Sequence, residues 1–234
     1  MQPKIYISRM DVVEDYQKDF FAWCKNRHWP DLIGAGFFSA NGYSSIMGEP
    51  LVCNIYEIPG IEVFLNKYES VRGNDEQLKI IVGQKISNHS LTVYDQLMSF
   101  STGDDLARQI TDRPSLRDSV IGPAVLVIRF EAKDMKAKDV LNFFKSSYFP
   151  RLAAHGGYVR GRLLRQIEKH PVYPSTQSEW CVVVEWASLS DACRDEVLLS
   201  KIMSDTENTG LFSDLLENVA KHVCSIRNPD AWGS

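Results

Sequence analysis

The hydrophobic pattern of the first half of the chain predicts alternating strands and helices. An apolar strand over 4–10 precedes a helix in which Phe20, Trp23 and Cys24 recur at helical spacing, and strands over 36–46 and 51–58 follow. Helical stretches over 60–71 and 75–86 and a strand over 90–100 complete this half. The predicted order is β-α-β-β-α-β, the split βαβ arrangement of ferredoxin-like domains.

The second half predicts the same order of elements. A strand over 123–131 precedes a helix with Val140, Phe143 and Phe144 on its apolar face, and two strands are expected over 157–168 and 179–187. Helices over 189–203 and 210–221 and a last strand over 222–227 complete it. The chain therefore predicts two ferredoxin-like units.

Individual residues repeat between the halves as well. A shift of 120 residues aligns KIYISRMD, residues 4–11, with AVLVIRFE, residues 124–131. One extra residue near His155 aligns Gly36 and Phe37 with Gly157 and Tyr158, and a longer loop in the second half, with Pro171 and Pro174, precedes the last aligned strand. We interpret the pattern as a duplication, and the aligned pairs are Arg9 with Arg129, Asp11 with Glu131, His28 with Tyr148, Pro30 with Pro150, Cys53 with Cys181 and Glu57 with Glu185.

The pattern also predicts how the two units meet. We expect an N-terminal unit over 1–103, a polar linker over 104–121 and a C-terminal unit over 122–234. Each four-stranded sheet would have one face covered by its own helices, and its other apolar face would need a cover. The expected fold class is α+β, with the two antiparallel sheets covering each other as an intrachain α+β barrel.

Composition narrows the possible partners and location. The 234 residues are 44% hydrophobic with a net charge of -4, and no basic run is present, so a nucleic-acid partner is not expected. The sequence shows neither a membrane span nor a signal peptide, which predicts a cytoplasmic protein. Its five cysteines lack C-x-x-C spacing and indicate reduced core thiols. Phosphate-binding and dinucleotide-binding motifs are absent from the sequence.

A short motif carries a resemblance to a known family. Trp23, His28 and Pro30 stand in the order W-x4-H-x-P, and the strand GFFSANGY, residues 36–43, follows. This stretch resembles the first helix and second strand of EthD-like proteins in the dimeric α+β barrel superfamily. The resemblance implies a tandem form whose two halves build one barrel.

The resemblance implies a role for one histidine but does not select a reaction. The superfamily includes cofactor-free monooxygenases, polyketide cyclases, lactone isomerases, lyases, haem enzymes and stress-response proteins. The histidine of this motif often faces the cleft between sheet and helices as a general base, and we carry that role to His28. An unperturbed imidazole pKa of about 6.5 suits such a role, although a packed histidine at a helix end is the alternative.

Other candidate site residues follow from their places in the two units. Trp23 belongs to the motif, and Tyr148 either orients a substrate or packs with Phe144 and Phe149. Arg9 and Arg129 lie on apolar strand faces, where each either binds a substrate oxygen or pairs with Glu57 or Glu185. Asn41 and Tyr43 alternate on the second strand and either lie beside His28 or face solvent or the helices.

Two further groups of residues have simpler interpretations. The segment RGRLLR, with Arg160, Arg162 and Arg165, either attracts an acidic molecule or shows its polar side to water. We assign no metal role to the remaining histidines, because none has ligand neighbours at metal spacing. Those histidines are His89, His155, His170 and His222.

The resulting hypothesis is a cofactor-independent enzyme, of the lyase, isomerase, cyclase or monooxygenase type. Its substrate would be a small aromatic or polyketide-like molecule, and His28 would be the general base. A haem-dependent enzyme on the same barrel and a non-catalytic small-molecule-binding module are the alternatives. A homodimer is possible on this sequence.

Overall fold

The described residues of the first half form four strands and three α-helices. The structure, a computed structural model, describes residues 4–63, 76–101, 122–132, 137–169, 178–204 and 211–229. A π-helical segment, Cys24–His28, separates the first two helices. The elements are β1 (Lys4–Val12), α1 (Gln17–Trp23), α2 (Trp29–Gly34), β2 (Ser39–Met47), β3 (Val52–Ile58), α3 (Glu76–Gln84) and β4 (Ile86–Phe100).

The second half repeats this order closely. A π-helical segment, Phe144–Tyr148, again separates two helices at the same place. The elements are β5 (Ala124–Ala132), α4 (Ala137–Phe143), α5 (Phe149–Ala153), β6 (Tyr158–Lys169), β7 (Trp180–Trp186), α6 (Leu189–Ala192), α7 (Leu199–Ser204) and β8 (Phe212–Arg227).

The eight strands close into one barrel in the order β1-β3-β2-β8-β5-β7-β6-β4. All neighbouring strands pair antiparallel, and β2 with β8 and β4 with β6 join the two halves. Within each half the order is that of a ferredoxin-like sheet, β4-β1-β3-β2 and β8-β5-β7-β6. The predicted fold class, two ferredoxin-like units in an α+β barrel, is confirmed.

The strand register places the repeated residues at equivalent positions. Arg9 lies opposite Cys53, and Arg129 lies opposite Cys181. A bulge follows each arginine, in the pairing of β1 with β4 and of β5 with β8. The shift of 120 residues therefore holds in three dimensions, while a duplication as its cause stays a prediction.

The described residues form three hydrophobic cores. Two lie between a sheet and its helices, one in each half. The third fills the barrel interior, where inward side chains of both halves meet. Strand alternation separates them: Tyr6 faces the helices, whereas Ile5 and Ile7 face the barrel interior.

One predicted helix of the second half, over 210–221, is wrong, and another is divided into shorter helices. Residues 212–221 belong to the strand β8, where Val219 packs in the helix-side core and Ala220 in the barrel core. Consecutive side chains on opposite faces are possible in a strand but not in a helix with one apolar face. The helix over 189–203 is interrupted by the 3-10 turn Asp195–Val197.

Some sequence predictions lie outside the described residues. The linker over 104–121 is among them, as is 64–71 of the predicted helix over 60–71. The unit boundaries stay predictions. Among the helices that the structure describes, none is both long enough and apolar enough to cross a membrane.

Candidate functional site

A π-helical segment fixes the position of His28. The Trp29 N–H donates to the Cys24 carbonyl, five residues back, instead of the usual four. Pro30 follows and lacks an N–H, so ordinary helical hydrogen bonding is interrupted at this point. The change of helix geometry therefore lies directly beside His28.

The His28 ring lies flat on the indole of Trp23. The ring centroids are 4.8 Å apart and the planes differ by 8°. His28 is 5% exposed, so its imidazole faces the protein interior and not bulk water. Both rings lie on the side of the first sheet that its helices cover.

A small cavity of about 30 Å³ adjoins these two rings. That volume accommodates about one water molecule. Aromatic side chains of α1, β1 and β3 and apolar side chains of α3 enclose it. Its lining residues are Tyr6, Ser8, Met10, Phe20, Trp23, Cys24, His28, Asn54, Tyr56, Leu78, Val82, Ile86 and His89.

Polar groups converge on this cavity from the sheet. Ser8 on β1 lies opposite Asn54 on β3, and Ser8 Oγ is 3.3 Å from His89 Nε2. Asn54 Oδ1 and Trp23 Nε1 are buried without a hydrogen-bond partner among the described residues. A buried polar atom without a partner costs about 1–3 kcal/mol, so one acceptor and one donor here favour a polar ligand or water.

Sequence reasoning missed Ser8, Asn54 and His89. The candidate considered on β1 was Arg9, whose side chain lies on the inward face of that strand. Ser8 lies on the opposite, helix-facing side together with Tyr6. His89 lies in β4, which begins at Ile86 instead of the predicted residue 90. Alternation along β1 and β3 was the available signal for Ser8 and Asn54.

Asn41 and Tyr43 point into the barrel interior and do not line the cavity beside His28. Tyr43 Oη donates to the Gly122 carbonyl at 3.2 Å, and Asn41 Nδ2 donates to the Ile55 carbonyl at 3.5 Å. Burial raises the pKa of Tyr43 well above its ordinary value. The predicted place of these two residues beside His28 is therefore corrected.

Arg9 and Arg129 also lie in the barrel, at one end of it. The Arg9 guanidinium donates to Tyr94 Oη at 3.2 and 3.3 Å and to Cys181 Sγ at 3.4 Å. Arg129 Nη2 donates to the Glu49 carbonyl at 3.0 Å. Burial, with the charge of Arg9 as a second cause, lowers the pKa of Arg129 to about 10.

The acid Glu185 pairs with arginines of the RGRLLR segment. Its Oε1 is 3.2 Å from Arg160 Nε and 3.3 Å from Arg162 Nε, and both arginines are buried. Arg160 and Arg162 therefore do not show a polar side to water. The exposed Arg165 pairs with Glu179 at 2.6 Å.

The other acid considered for Arg9, Glu57, lies farther along its strand. The register places Glu57 opposite Ile5, whereas Arg9 lies opposite Cys53. Ser39 Oγ donates to Glu57 Oε2 at 2.5 Å. Glu57 and Glu185 thus belong to the end of the barrel away from Arg9 and Arg129.

Tyr148 occupies the position equivalent to His28 in a packed surrounding. Its ring contacts Phe144 and Phe149, and its Oη donates to the Val197 carbonyl at 2.9 Å. Burial raises the pKa of Tyr148 well above its ordinary value, so the phenol is a neutral donor. Of the two interpretations of Tyr148, the packing one agrees with its contacts.

Solved structures show which class of fold this is. An anthrone oxidase-like protein superimposes with a TM-score of 0.64 at 10% identity, over 100% of this chain and 97% of that chain. A provisionally assigned monooxygenase from Fusobacterium nucleatum subsp. nucleatum gives 0.59 at 9% identity, covering 96% and 94%. A haem-binding protein from Thermus thermophilus gives 0.52 at 11% identity, covering 95% and 92%.

At these identities the likeness establishes the fold alone. The chain has the α+β barrel that these structural neighbours share. No protein-family model matches the sequence, and no curated protein matches it significantly.

The described residues around His28 do not suit a haem. The cavity there holds about 30 Å³. A porphyrin spans several aromatic rings, so α1 would have to separate from the sheet to admit one. Within the described ranges, no group of three or more His, Cys, Asp or Glu side chains suits a metal ion.

Proposed function

We propose that the protein is a cofactor-independent enzyme that removes a proton from a small aromatic or polyketide-like molecule. One observation carries this proposal: His28, Trp23 and Asn54 line one aromatic-lined cavity, and Trp23 Nε1 and Asn54 Oδ1 are buried without a hydrogen-bond partner among the described residues. The names of two structural neighbours, anthrone oxidase-like and monooxygenase, support it. We also propose that the chain is a tandem EthD-like protein, because the W-x4-H-x-P motif supplies this cavity's histidine and tryptophan.

His28 acts as the general base in the proposed reaction. Its imidazole accepts a proton from an acidic C–H or O–H of the substrate and becomes an imidazolium. The face of Trp23, stacked at 4.8 Å, stabilises that cation because an aromatic ring carries negative charge density on its face. Trp23 therefore stabilises the protonated form of the proposed base, His28.

Buried polar groups hold the resulting enolate or phenolate. Trp23 Nε1 is a donor with no partner among the described residues, and it can donate to the developing oxyanion. Asn54 Oδ1 accepts from a second hydroxyl of the substrate, and the Ser8 and His89 pair offers a further site for proton transfer. Isomerisation, cyclisation, elimination or attack on O₂ can each follow from such an anion.

Entry of a substrate requires side chains to move. The cavity accommodates about one water, so an aromatic ring must displace apolar side chains on its α3 side. Leu78 and Val82 are the residues of α3 that line it.

The test is a His28→Gln variant assayed on anthrone, naphthols and aromatic lactones. We expect kcat/KM to fall by about 10²–10⁴-fold, the usual contribution of a general base. His155→Gln is the matched control, because His155 does not line the cavity. Full turnover by a folded His28→Gln protein would contradict the proposal, and a Soret band in the purified protein would favour a haem enzyme instead.

A further inference from the structure

A hydrogen-bonded pair, Ser8 and His89, lines the cavity beside His28 on its sheet side. Ser8 Oγ on β1 is 3.3 Å from His89 Nε2 on β4, and both residues line the cavity. Ser8 is 4% exposed, whereas His89 is half-buried. The pair therefore connects the buried cavity with the surface of the protein.

A bulge and strand alternation direct the His89 side chain toward the cavity. The pairing of β1 with β4 shifts after Arg9, and Asn88 has a positive φ of 48° at this shift. Ser90 lies opposite Arg9 and shares its inward face. His89, one residue earlier, points to the other face of the sheet, where Ser8 and the helices lie.

The second half repeats this backbone geometry but not the histidine. Asp214, with a φ of 52° at the shift in the pairing of β5 with β8, corresponds to Asn88. The residue after Asp214 is Leu215, which packs against the helix-side core of the second half. A leucine thus occupies the position equivalent to His89.

The polar neighbours of His89 are also replaced by apolar residues in the second half. Ser8 lies opposite Asn54, and the equivalent strands β5 and β7 pair Ile128 with Val182. Both apolar residues are fully buried in the helix-side core. Because burial of polar groups costs free energy, the three polar residues of the first half indicate a function beyond packing.

His28 and Ser8 reach the cavity from opposite walls. His28 belongs to the π-helical segment of the helix layer, whereas Ser8 belongs to the sheet. A base on one wall and a hydroxyl donor on the other suit a reaction that moves protons at two different atoms of one molecule.

We propose that Ser8 and His89 are the acid pair of this site and that the reaction is an isomerisation or an elimination. This inference rests on the proposed function, in which His28 breaks a C–H bond and a substrate anion forms. The Ser8 hydroxyl gives its proton to that anion at a second atom, and the His89 imidazolium reprotonates Ser8. After the product leaves, solvent reprotonates His89 and takes the proton from His28, so no oxidant is consumed.

The test uses benzisoxazole and 5-nitrobenzisoxazole as probes. Removal of the proton from the isoxazole carbon forms a nitrile and breaks the N–O bond, whose electron pair stays on a phenol oxygen. The nitro group stabilises the phenolate, so the unsubstituted probe depends more strongly on an acid. We expect His89→Gln and Ser8→Ala to lower kcat/KM about 10²-fold for benzisoxazole but less than about tenfold for the nitro probe.

Controls separate the acid from the base. His28→Gln should slow both probes by a similar factor, because the same C–H bond breaks in each. The exposed Ser87 and His155 do not line the cavity, so Ser87→Ala and His155→Gln should leave turnover unchanged. In the wild type, kcat/KM for benzisoxazole should fall at alkaline pH as His89 loses its proton, and His89→Gln should lack that alkaline limb.

The outcomes distinguish this inference from the proposed function. Slower turnover in His28→Gln, with equal effects of His89→Gln on the two probes, would overturn the acid pair and leave the base in place. Full turnover in His28→Gln, or no turnover by the wild-type chain, would overturn both. If His89→Gln does not fold, Ser8→Ala decides, and an unchanged His89 Nε2 resonance in nitrogen NMR of that variant would overturn the pair.

Discussion

His28 and Tyr148 occupy equivalent positions in the two halves, and their surroundings differ. The imidazole adjoins a cavity with buried polar groups, whereas the phenol donates to the Val197 carbonyl within an aromatic cluster. A tyrosine, with an ordinary pKa of about 10, is a hydrogen-bond donor at neutral pH and not a base. Under the proposed function, proton removal belongs to the first half, and Tyr148 stabilises the second.

A first prediction concerns the buried side-chain amide of Asn54. Asn54→Leu replaces a buried acceptor that has no partner among the described residues, so we expect the free energy of unfolding to stay the same or rise by about 1 kcal/mol. Turnover should nevertheless fall at least about tenfold, because the substrate loses its acceptor. Denaturant unfolding and steady-state assays measure the two effects.

Asn41→Leu is the matched control for that experiment. Asn41 Oδ1 is also buried without a partner in the part of the chain described, but it lies in the barrel interior. We expect its replacement to leave turnover unchanged. Equal losses of turnover in both variants would refute a specific role for Asn54.

The helices α1 and α2 lie very close to the first sheet at Gly42. A Cβ at Gly42 on β2 would lie 2.7 Å from Phe21 Cε1 and 2.9 Å from Trp29 Cη2. These rings come from α1 and α2, the helices on either side of the π-helical segment. The absence of a side chain at Gly42 therefore lets the His28 segment lie close to the sheet.

We expect Gly42→Ala to lower the free energy of unfolding by about 1–3 kcal/mol, the usual cost of overpacking. Gly83→Ala is the matched control, because a Cβ there would have no neighbour within 4 Å. In the helix α3 that change should stabilise by up to about 1 kcal/mol. Chemical denaturation of both variants checks the signs, and a Gly42→Ala protein as stable as the wild type would refute the steric account.

Sequence patterns predicted most of the elements because the buried strands are rich in Val, Ile and aromatic residues. β1, β3, β5 and β7 lie within one or two residues of their predicted bounds. Only 222–227 of β8 were predicted as a strand, because the apolar residues of 212–221 are spaced both for a helix and for a strand with two buried faces. Pairing with β5 and β2, which is not visible in a local pattern, decides between them.

Only part of the candidate site could be predicted from the sequence. The motif identified His28 and Trp23, which do line one cavity. Asn41, Tyr43, Arg9 and Arg129 lie in the barrel interior, because strand alternation directs them away from the helices. Alternation indicates the face on which Ser8 and Asn54 lie, but register between distant strands sets which polar residues meet. The convergence of Ser8, Asn54 and His89 on one cavity therefore required the three-dimensional structure.

The whole molecule contains several buried phenols, which predicts sensitivity to alkali. A group whose pKa is raised on folding stabilises the fold below its unfolded pKa, and that contribution is lost as pH rises through the folded pKa. Above about pH 10, each such phenol should lower the stability by about 1.4 kcal/mol per pH unit. The tyrosines with raised pKa values are Tyr43, Tyr94, Tyr148 and Tyr158.

Two of the arginines, Arg129 and Arg227, give an opposite but smaller effect. Arg129 and Arg227 have pKa values lowered by burial, which favours folding at very high pH, but they are fewer than the phenols. Guanidinium unfolding between about pH 8 and about pH 11 should therefore show a steep fall above about pH 10. Tyr148→Phe should make the slope shallower by one proton's contribution, and a flat profile would contradict the expected role of the phenols.

The pairing of β2 with β8 has a consequence for synthesis of the chain. β2 ends at Met47, and β8 begins at Phe212, so the ribosome must make the intervening segment before this pair can form. At a synthesis rate of about 5–20 residues per second, the edge of β2 stays without its partner β8 for on the order of ten seconds. During that interval an unpaired strand edge can recruit other nascent chains, which makes this protein a natural client for chaperones that act during translation.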